Sequence, residues 1–442
     1  MMEKNRLHKR IAIILLVLIC IPIFTKVTGI KFSGSLSKAD KVNSFDKFSL
    51  DNWFSGSFQS SYEKYINDNI GQFAFFIRLH NQIEYGLFDK VHTGDIYSGI
   101  DNYLFEKGYI NSFKGKDFVG TKVAIKNVAE MRKLQDTLES MGKSFVFCMA
   151  IGKASYYPEH ITNLSNTEYD STNSKVYSVE FKNQGINHIN TIDWFRELKD
   201  SLGHFLFPKY GIHWSNYGAI LVTDSIVKFH EARYNWDLPN LKIVSNEISK
   251  KTKFFDNDIA KSMNLLVNVE PYPYMKYPTV EWEKRTDKTD KKKILVIGDS
   301  FTWDIYRNSG VVSKCFESVD LWYYNQMVNS EISENGDMVD GLPLLTRHLN
   351  LSELIDSYDG FVVISSEPNL ADLGWDIATT LLGTLRDSTY QPEERNNAFI
   401  LSQCLGKKEW REDLEKMAEK RNITLDSMIS IYLHDRNFKL DK

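Results

Sequence analysis

The chain has 442 residues, 42% of them hydrophobic and 25% charged, with a formal net charge of −4. That length exceeds what one small core supports and predicts one large domain with additions, and the composition excludes extended disorder. A charge this close to neutral also excludes the basic field that holds a nucleic-acid backbone, so nucleic acid is not an expected partner.

Lys4, Arg6, Lys9 and Arg10 precede an uncharged apolar run over residues 11–24, the pattern of an export signal. About fourteen residues at ~1.5 Å each fall short of the ~30 Å hydrocarbon core. Residues 1–30 are therefore read as a basic cytoplasmic leader and a single-pass signal anchor, positive end inside and body on the extracytoplasmic face of the cell membrane. The alternative is a signal peptide cleaved near Val27-Thr28-Gly29, leaving a secreted or periplasmic chain. Cys20 follows Ile19 rather than a small residue, which argues against a lipoprotein, and Cys148, Cys315 and Cys404 are too scattered for a disulfide framework.

A polar stretch (31–47) leads to an aromatic-rich segment over 51–89 that reads as helix. Glycines 94, 99 and 108 then frame short strands around Ile96-Tyr97 and Tyr103-Leu104-Phe105. From residue 121 the recurrence of Val128, Met131, Leu134, Leu138 and Met141 predicts a helix, closed by Gly142. Three apolar runs, 144–150, 293–297 and 360–365, have the composition of parallel strands buried on both faces. Helical patterns at 219–234 and 342–358 lie between them, and the charged stretch 286–293 reads as a solvated lead-in. Residues 371–442 form a C-terminal helical segment, with Trp410, Leu414, Met417 and Ala418 on one face, expected to pack over the sheet. The whole describes an α/β fold, a parallel sheet flanked by helices with sites at the carboxyl ends of its strands.

The second strand runs directly into Gly298-Asp299-Ser300-Phe301. A turn there sets a hydroxyl at the strand's end, admits close backbone approach at Gly298 and can turn amide N–H groups toward a developing oxyanion. Serine needs a base, and of ten histidines His213 stands apart, in the aromatic and polar loop Pro208-Lys209-Tyr210-Gly211-Ile212-His213-Trp214 before a helix that Ser215 or Asn216 can cap. A polar strand-to-helix turn and a packed loop histidine are the competing structural readings. No phosphate-binding glycine loop, Cys-x-x-Cys or His-Glu-x-x-His pattern occurs, so no cofactor and no metal are expected.

Gly298-Asp299-Ser300-Phe301 with an upstream His213-Trp214-x-x-Tyr217-Gly218 resembles the alginate O-acetyltransferase AlgJ/AlgX group of SGNH hydrolase-like proteins, whose motif order is permuted relative to other SGNH enzymes. The opening helix at 53–65, the hairpin at 96–105 with Asp101, Leu104 and Phe105, and Gly152-Lys153 followed by Tyr157-Pro158-Glu159 fit the same resemblance, which spans about residues 50–370. It implies Ser300 as nucleophile and His213 as general base. The family's pattern is Asp-x-His-Trp, and Gly211 occupies the aspartate's place. Three explanations stand open: a Ser-His pair oriented by a backbone carbonyl, an acid from elsewhere (Asp299 or Asp193), or a degenerate site. Gly298, Trp214, Tyr324, Asn325, Asn369 and Lys153 are the residues expected near substrate or oxyanion.

The function implied is a cell-envelope O-acetyltransferase that carries an acetyl group on Ser300 to hydroxyls of an exported polysaccharide, with a membrane-bound O-acyltransferase (MBOAT) as donor and the cytoplasmic membrane held through the N-terminal segment. An extracytoplasmic carbohydrate esterase or deacetylase, and a non-catalytic polysaccharide-binding or scaffold protein, are the alternatives.

Overall fold

The computed structural model describes residues 2–34, 36–37, 45–162, 171–269, 273–283, 292–329, 342–387, 390 and 397–440. Most of the charged lead-in (284–291) and part of the early polar stretch (38–44) lie outside the described residues. The chain divides into two units, Met1–Gly94 with Ile259–Glu270 and Asp95–Asp258 with Pro271–Lys442.

In the smaller unit a helix spans Met2–Thr28. Its stretch His8–Thr28, 21 residues with mean hydropathy 2.6, is long and apolar enough by composition to cross a bilayer, at ~1.5 Å per residue about 31 Å. The uncharged run alone underestimates this length, because the helix continues through Lys26. The single helix expected over 51–89 is three: Leu50–Ser55, Ser57–Asn69 and Phe73–Phe88. Gly56 ends the first in the left-handed region (φ 81°), and the Gly71–Gln72 turn separates the other two, with Gln72 at φ 63°. No side chain fits at position 71, where a Cβ would collide with the Pro22 carbonyl.

The larger unit holds eleven described strands. A hairpin pairs β1 (Ile96–Ser98) with β2 (Leu104–Glu106), as the glycine spacing suggests. β3 (Ser144–Ala150) and β4 (His188–Asn190) are followed by a long antiparallel pair, β5 (Leu241–Ser249) and β6 (Met275–Trp282). Then come β7 (Lys292–Gly298), β8 (Phe316–Tyr323), β9 (Met327–Asn329), β10 (Leu344–Leu345) and β11 (Gly360–Ser366). The main sheet has the order β10-β9-β8-β7-β11-β3-β4. It is parallel from β8 to β4 and antiparallel at β9 and β10. The three apolar runs form its centre, fully buried along β3 and β11. Each large aliphatic side chain removed from water there stabilises the fold by about 1.5–3 kcal/mol.

Helix Thr121–Ser140 buries Val128, Met131, Leu134 and Leu138 against this core, whereas Met141 sits at its end, exposed. The helix expected over 342–358 is instead β10, a 3-10 turn at Thr346–His348 and a short helix Leu351–Ser357. Of the described C-terminal segment, Leu373, Trp375 and helix Ile377–Arg386 join the main core. Helices Asn397–Gly406, Lys408–Arg421 and Leu425–His434 build a second core around Trp410, Leu414, Met428 and Tyr432 with Met327 and Leu345 of the sheet's β9–β10 end, so they cover that edge and not a face. Cys148, Cys315 and Cys404 are buried and in no disulfide among the described residues.

Candidate active site

Because β7 lies between β8 and β11, its carboxyl end opens among the loops that follow β8, β11 and β3. Gly298 ends the strand, and a Cβ there would strike the Thr302 hydroxyl and crowd the Ile364 carbonyl, so any larger residue must displace Thr302. Asp299 is fully buried and does structural work. Its Oδ1 accepts from the Phe301 amide (3.0 Å), and its Oδ2 accepts from the Ser366 amide (2.8 Å) and Asn369 Nδ2 (2.7 Å). The turn after β7 is thereby tied to the end of β11.

Ser300 Oγ lies 2.8 Å from His213 Nε2. The loop bearing His213 is fixed on both sides. Ser215 caps helix Asn216–Tyr234, its Oγ accepting from Gly218 N, and the edge of Phe301 packs on the imidazole at 5.1 Å and on Trp214 at 4.9 Å. The other ring nitrogen, Nδ1, donates to Asp258 Oδ2 at 2.9 Å, while Asp258 Oδ1 accepts from the Ile212 amide at 2.9 Å. One carboxylate thus holds both the ring and its backbone, and sets the tautomer that leaves Nε2 free to accept a proton. Burial alone would depress the imidazole's pKa. The Asp258 hydrogen bond and charge, reinforced by Asp304 and Asp299, outweigh it and raise the pKa above the ordinary histidine value.

Neither Asp193 nor Asp299 is the orienting acid. Asp193 is exposed in the first turn of helix Thr191–Leu198, accepting from Asn190 Nδ2, and both oxygens of Asp299 are taken as above. The reason an acid is absent at 211 is steric. A Cβ on Gly211 would lie 2.7 Å from the Phe255 carbonyl oxygen and 2.8 Å from Pro208 Cγ, so the segment that delivers Asp258 occupies the space an aspartate at 211 would need. Sequence reasoning missed Asp258 because it follows His213 by 45 positions with no motif around it. The signal available was the acidic Phe254-Phe255-Asp256-Asn257-Asp258 run downstream of the vacated position.

Other expected contacts are placed differently. Lys153 is 1% exposed, so it does not face an incoming sugar. Its Nζ donates to the carbonyls of Lys209 (2.7 Å) and Gly211 (2.8 Å), clamping the histidine loop. Burial pushes this ammonium well below the ordinary lysine value, partly offset by the charge of Asp258 and aided by that of Lys209. Trp214 is a buried wall with no acceptor for its indole N–H among the described residues. Asn369 spends its amide hydrogens on Asp299 and Ser366, so it is a brace, not an open oxyanion donor. Asn325 gives Nδ2 to the Trp375 carbonyl (2.9 Å) and Tyr324 stacks edge-on against Trp375, both residues at positive φ. Tyr323 beside them is pushed up to about 12 by burial and the charge of Asp299, and its phenol interacts with the Tyr324, Trp303 and Ser300 side chains.

Replacing Lys153 by methionine is expected to leave the buried Gly211 carbonyl without its donor, at about 1–3 kcal/mol, and the Lys209 carbonyl with the Leu104 amide alone. The expected outcome is a lower Tm and a fall in kcat with KM little changed, and a variant matching wild type in both would remove the clamp.

On the same loop, Lys209 lines a groove of about 750 Å³ with Lys250, Lys276, Tyr103, Tyr274 and His204. Among the described residues no group of three or more His, Cys, Asp or Glu side chains is placed to hold a metal ion.

The site is thus a Gly-Asp-Ser turn at the end of a central strand of a mostly parallel sheet, facing a histidine from another loop. Residues 96–309 match the family model for the SGNH hydrolase-like domain of acetyltransferase AlgX. Three solved structures are similar in outline. The O-acetyltransferase domain of Pseudomonas putida AlgJ is 15% identical, with 66% of this chain and 99% of that chain covered and a TM-score of 0.42. Pseudomonas aeruginosa AlgX is 14% identical, with 63% and 67% covered and a TM-score of 0.39, and Bacillus cereus PatB1 is 11% identical, with 64% and 98% covered and a TM-score of 0.40. No curated protein matches the sequence.

Proposed function

We propose that the chain is an extracytoplasmic O-acetyltransferase that passes an acetyl group through Ser300 to a hydroxyl of an exported polysaccharide, with the N-terminal helix holding it at the membrane. The observation that carries this reading is the unbroken line of hydrogen bonds from Asp258 through His213 to Ser300 at the end of β7.

Ser300 Oγ attacks the acetyl carbonyl while its proton passes to His213 Nε2, and Asp258 stabilises the imidazolium that results. The Phe301 and Thr302 amides are taken by the Asp299 side chain and carbonyl, which leaves the Ser300 amide as the turn's donor to the oxyanion. Collapse of the tetrahedral intermediate expels the donor's leaving group, which takes the proton from His213. An acceptor hydroxyl then attacks the acetyl-serine, loses its proton to His213, and Ser300 departs with that proton. The groove beside Lys209 is where the acceptor chain is expected to lie, its tyrosines offering faces to sugar rings. Since acetyl-CoA is cytoplasmic, the donor is expected to be a membrane-bound acyltransferase that brings acetyl across the bilayer. Hydrolysis uses the same residues with water in place of the sugar.

The test is direct. The protein is mixed with an activated acetyl ester, quenched and digested. The peptide containing Ser300 is expected to gain the mass of an acetyl group, and adding acceptor polysaccharide is expected to discharge it with acetyl appearing on polymer. Acetyl on any other residue would defeat the assignment, and discharge to water alone would favour the esterase.

A further inference from the structure

Amphipathic helices of water-soluble units turn their apolar stripe inward, and in the smaller unit two helices do the reverse. Along Phe73–Phe88 the outward residues are Phe76, His80, Ile83 and Leu87, spaced by three and four, and no side chain of this helix is buried. Leu87 is 73% exposed. Along Ser57–Asn69 and its end, Tyr62, Ile66 and Ile70 form a second exposed stripe, and Phe54 in the preceding short helix is 82% exposed. Phe45, Phe48, Trp53, Phe58, Tyr62 and Tyr65 gather in a cluster of edge-on, tilted and stacked rings along helices Leu50–Ser55 and Ser57–Asn69.

The position of these stripes in the chain indicates what covers them. The turn between the two helices, Gly71–Gln72, sits against the last turns of the apolar N-terminal helix, at Pro22 and Thr25. The chain leaving that helix is pinned to the same turn, the Phe32 amide donating to Gln72 Oε1 (2.8 Å) and the Phe32 ring lying edge-on to Phe75 at 5.5 Å. Both stripes therefore start where the helix long enough to cross a membrane ends. Tryptophan and tyrosine concentrate at this depth, and helices with an outward apolar face lie along it. Acidic residues outnumber basic ones over 45–90, so attraction to anionic lipid is not what would hold the segment down.

We propose that residues 45–88 form a collar embedded in the headgroup and upper acyl region of the outer leaflet, its apolar stripes in contact with lipid. This goes beyond the acetyl-transfer reading and rests on its clause that the N-terminal helix stays in the membrane.

The test uses the full chain in nanodiscs made of lipid alone, with the acyl chains brominated near the headgroup. The fluorescence of Trp53 is obtained by subtracting the Trp53→Phe variant, and a second reporter comes from Leu87→Trp in that background. Both signals are expected to be lost to quenching, equally at low and high salt. If the chain remains with the discs and both signals survive, the stripes face water or a protein and the collar is overturned while the anchor stands. If the chain does not remain with the discs, the anchor clause and the collar fall together. Neither result touches the acetyl-serine experiment, whose failure would leave the collar intact.

Discussion

Ser300→Ala is expected to lower ester turnover by at least ~10³-fold with the fold unchanged. The hydroxyl makes a hydrogen bond to His213 and lies at a half-buried turn. Losing that bond costs about 1 kcal/mol, which in a unit this large moves Tm by no more than about 2–4 °C. A large loss of rate with nearly native melting is what separates a reacting atom from a packing one. A variant that retained turnover would move the nucleophile elsewhere. A variant without turnover that still supported the protein's role in cells would favour the scaffold alternative.

Asp258→Asn carries the second large effect, expected at about 10⁴-fold in kcat. Asparagine keeps the shape and can still accept from the Ile212 amide, but it can offer an N–H to His213 Nδ1 and so favour the tautomer whose Nε2 carries the proton. The pH dependence tests the same contact. His213 acts as a base only when neutral, so the rate rises with pH through its pKa, which stands above the ordinary value because of Asp258. Removing the carboxylate leaves burial, which acts in the opposite direction, so the acidic limb is expected to move to lower pH. A limb that stays fixed would dissociate Asp258 from the histidine's titration. Stability follows the same sign. A histidine with a raised folded pKa contributes stability that is complete below its unfolded value and lost as pH rises through the folded one, so the variant should show a flatter dependence across that window. Adding Gly211→Asp to restore the family's acid is not expected to rescue activity, since the Phe255 carbonyl and Pro208 leave no space for it; recovered turnover would contradict that steric account.

What was legible in the sequence follows from how much of each signal is local. The central strands β3, β7 and β11 announce themselves as short apolar runs because both faces are covered. β8 was not recognised, since Phe316-Glu317-Ser318-Val319-Asp320 interrupts its apolar character near the start, and β4 has only three residues. Residue types at the site could be named, but their directions could not. Lysine and tryptophan beside a serine and a histidine invite a reading as substrate contacts, while here Lys153 and Trp214 point into the protein and hold the loop. Asp299 looked available as an acid and is instead consumed by the turn. Asp258 is the strongest case: its place depends on how residues 255–258 pass over Gly211, and no periodicity or spacing encodes that.

Drawing the acid from 45 residues downstream of the histidine and the serine from 87 has a kinetic side. When the aspartate lies two positions from its histidine, it arrives with the same loop, so acid and base form together. Here base, acid and serine come from three separate stretches, and each contact closes a long loop whose entropy must be met first. The site should therefore mature after the sheet has formed. A local opening of residues 254–258 could switch it off without unfolding the domain, which hydrogen exchange would register as early loss of protection at the Ile212 amide.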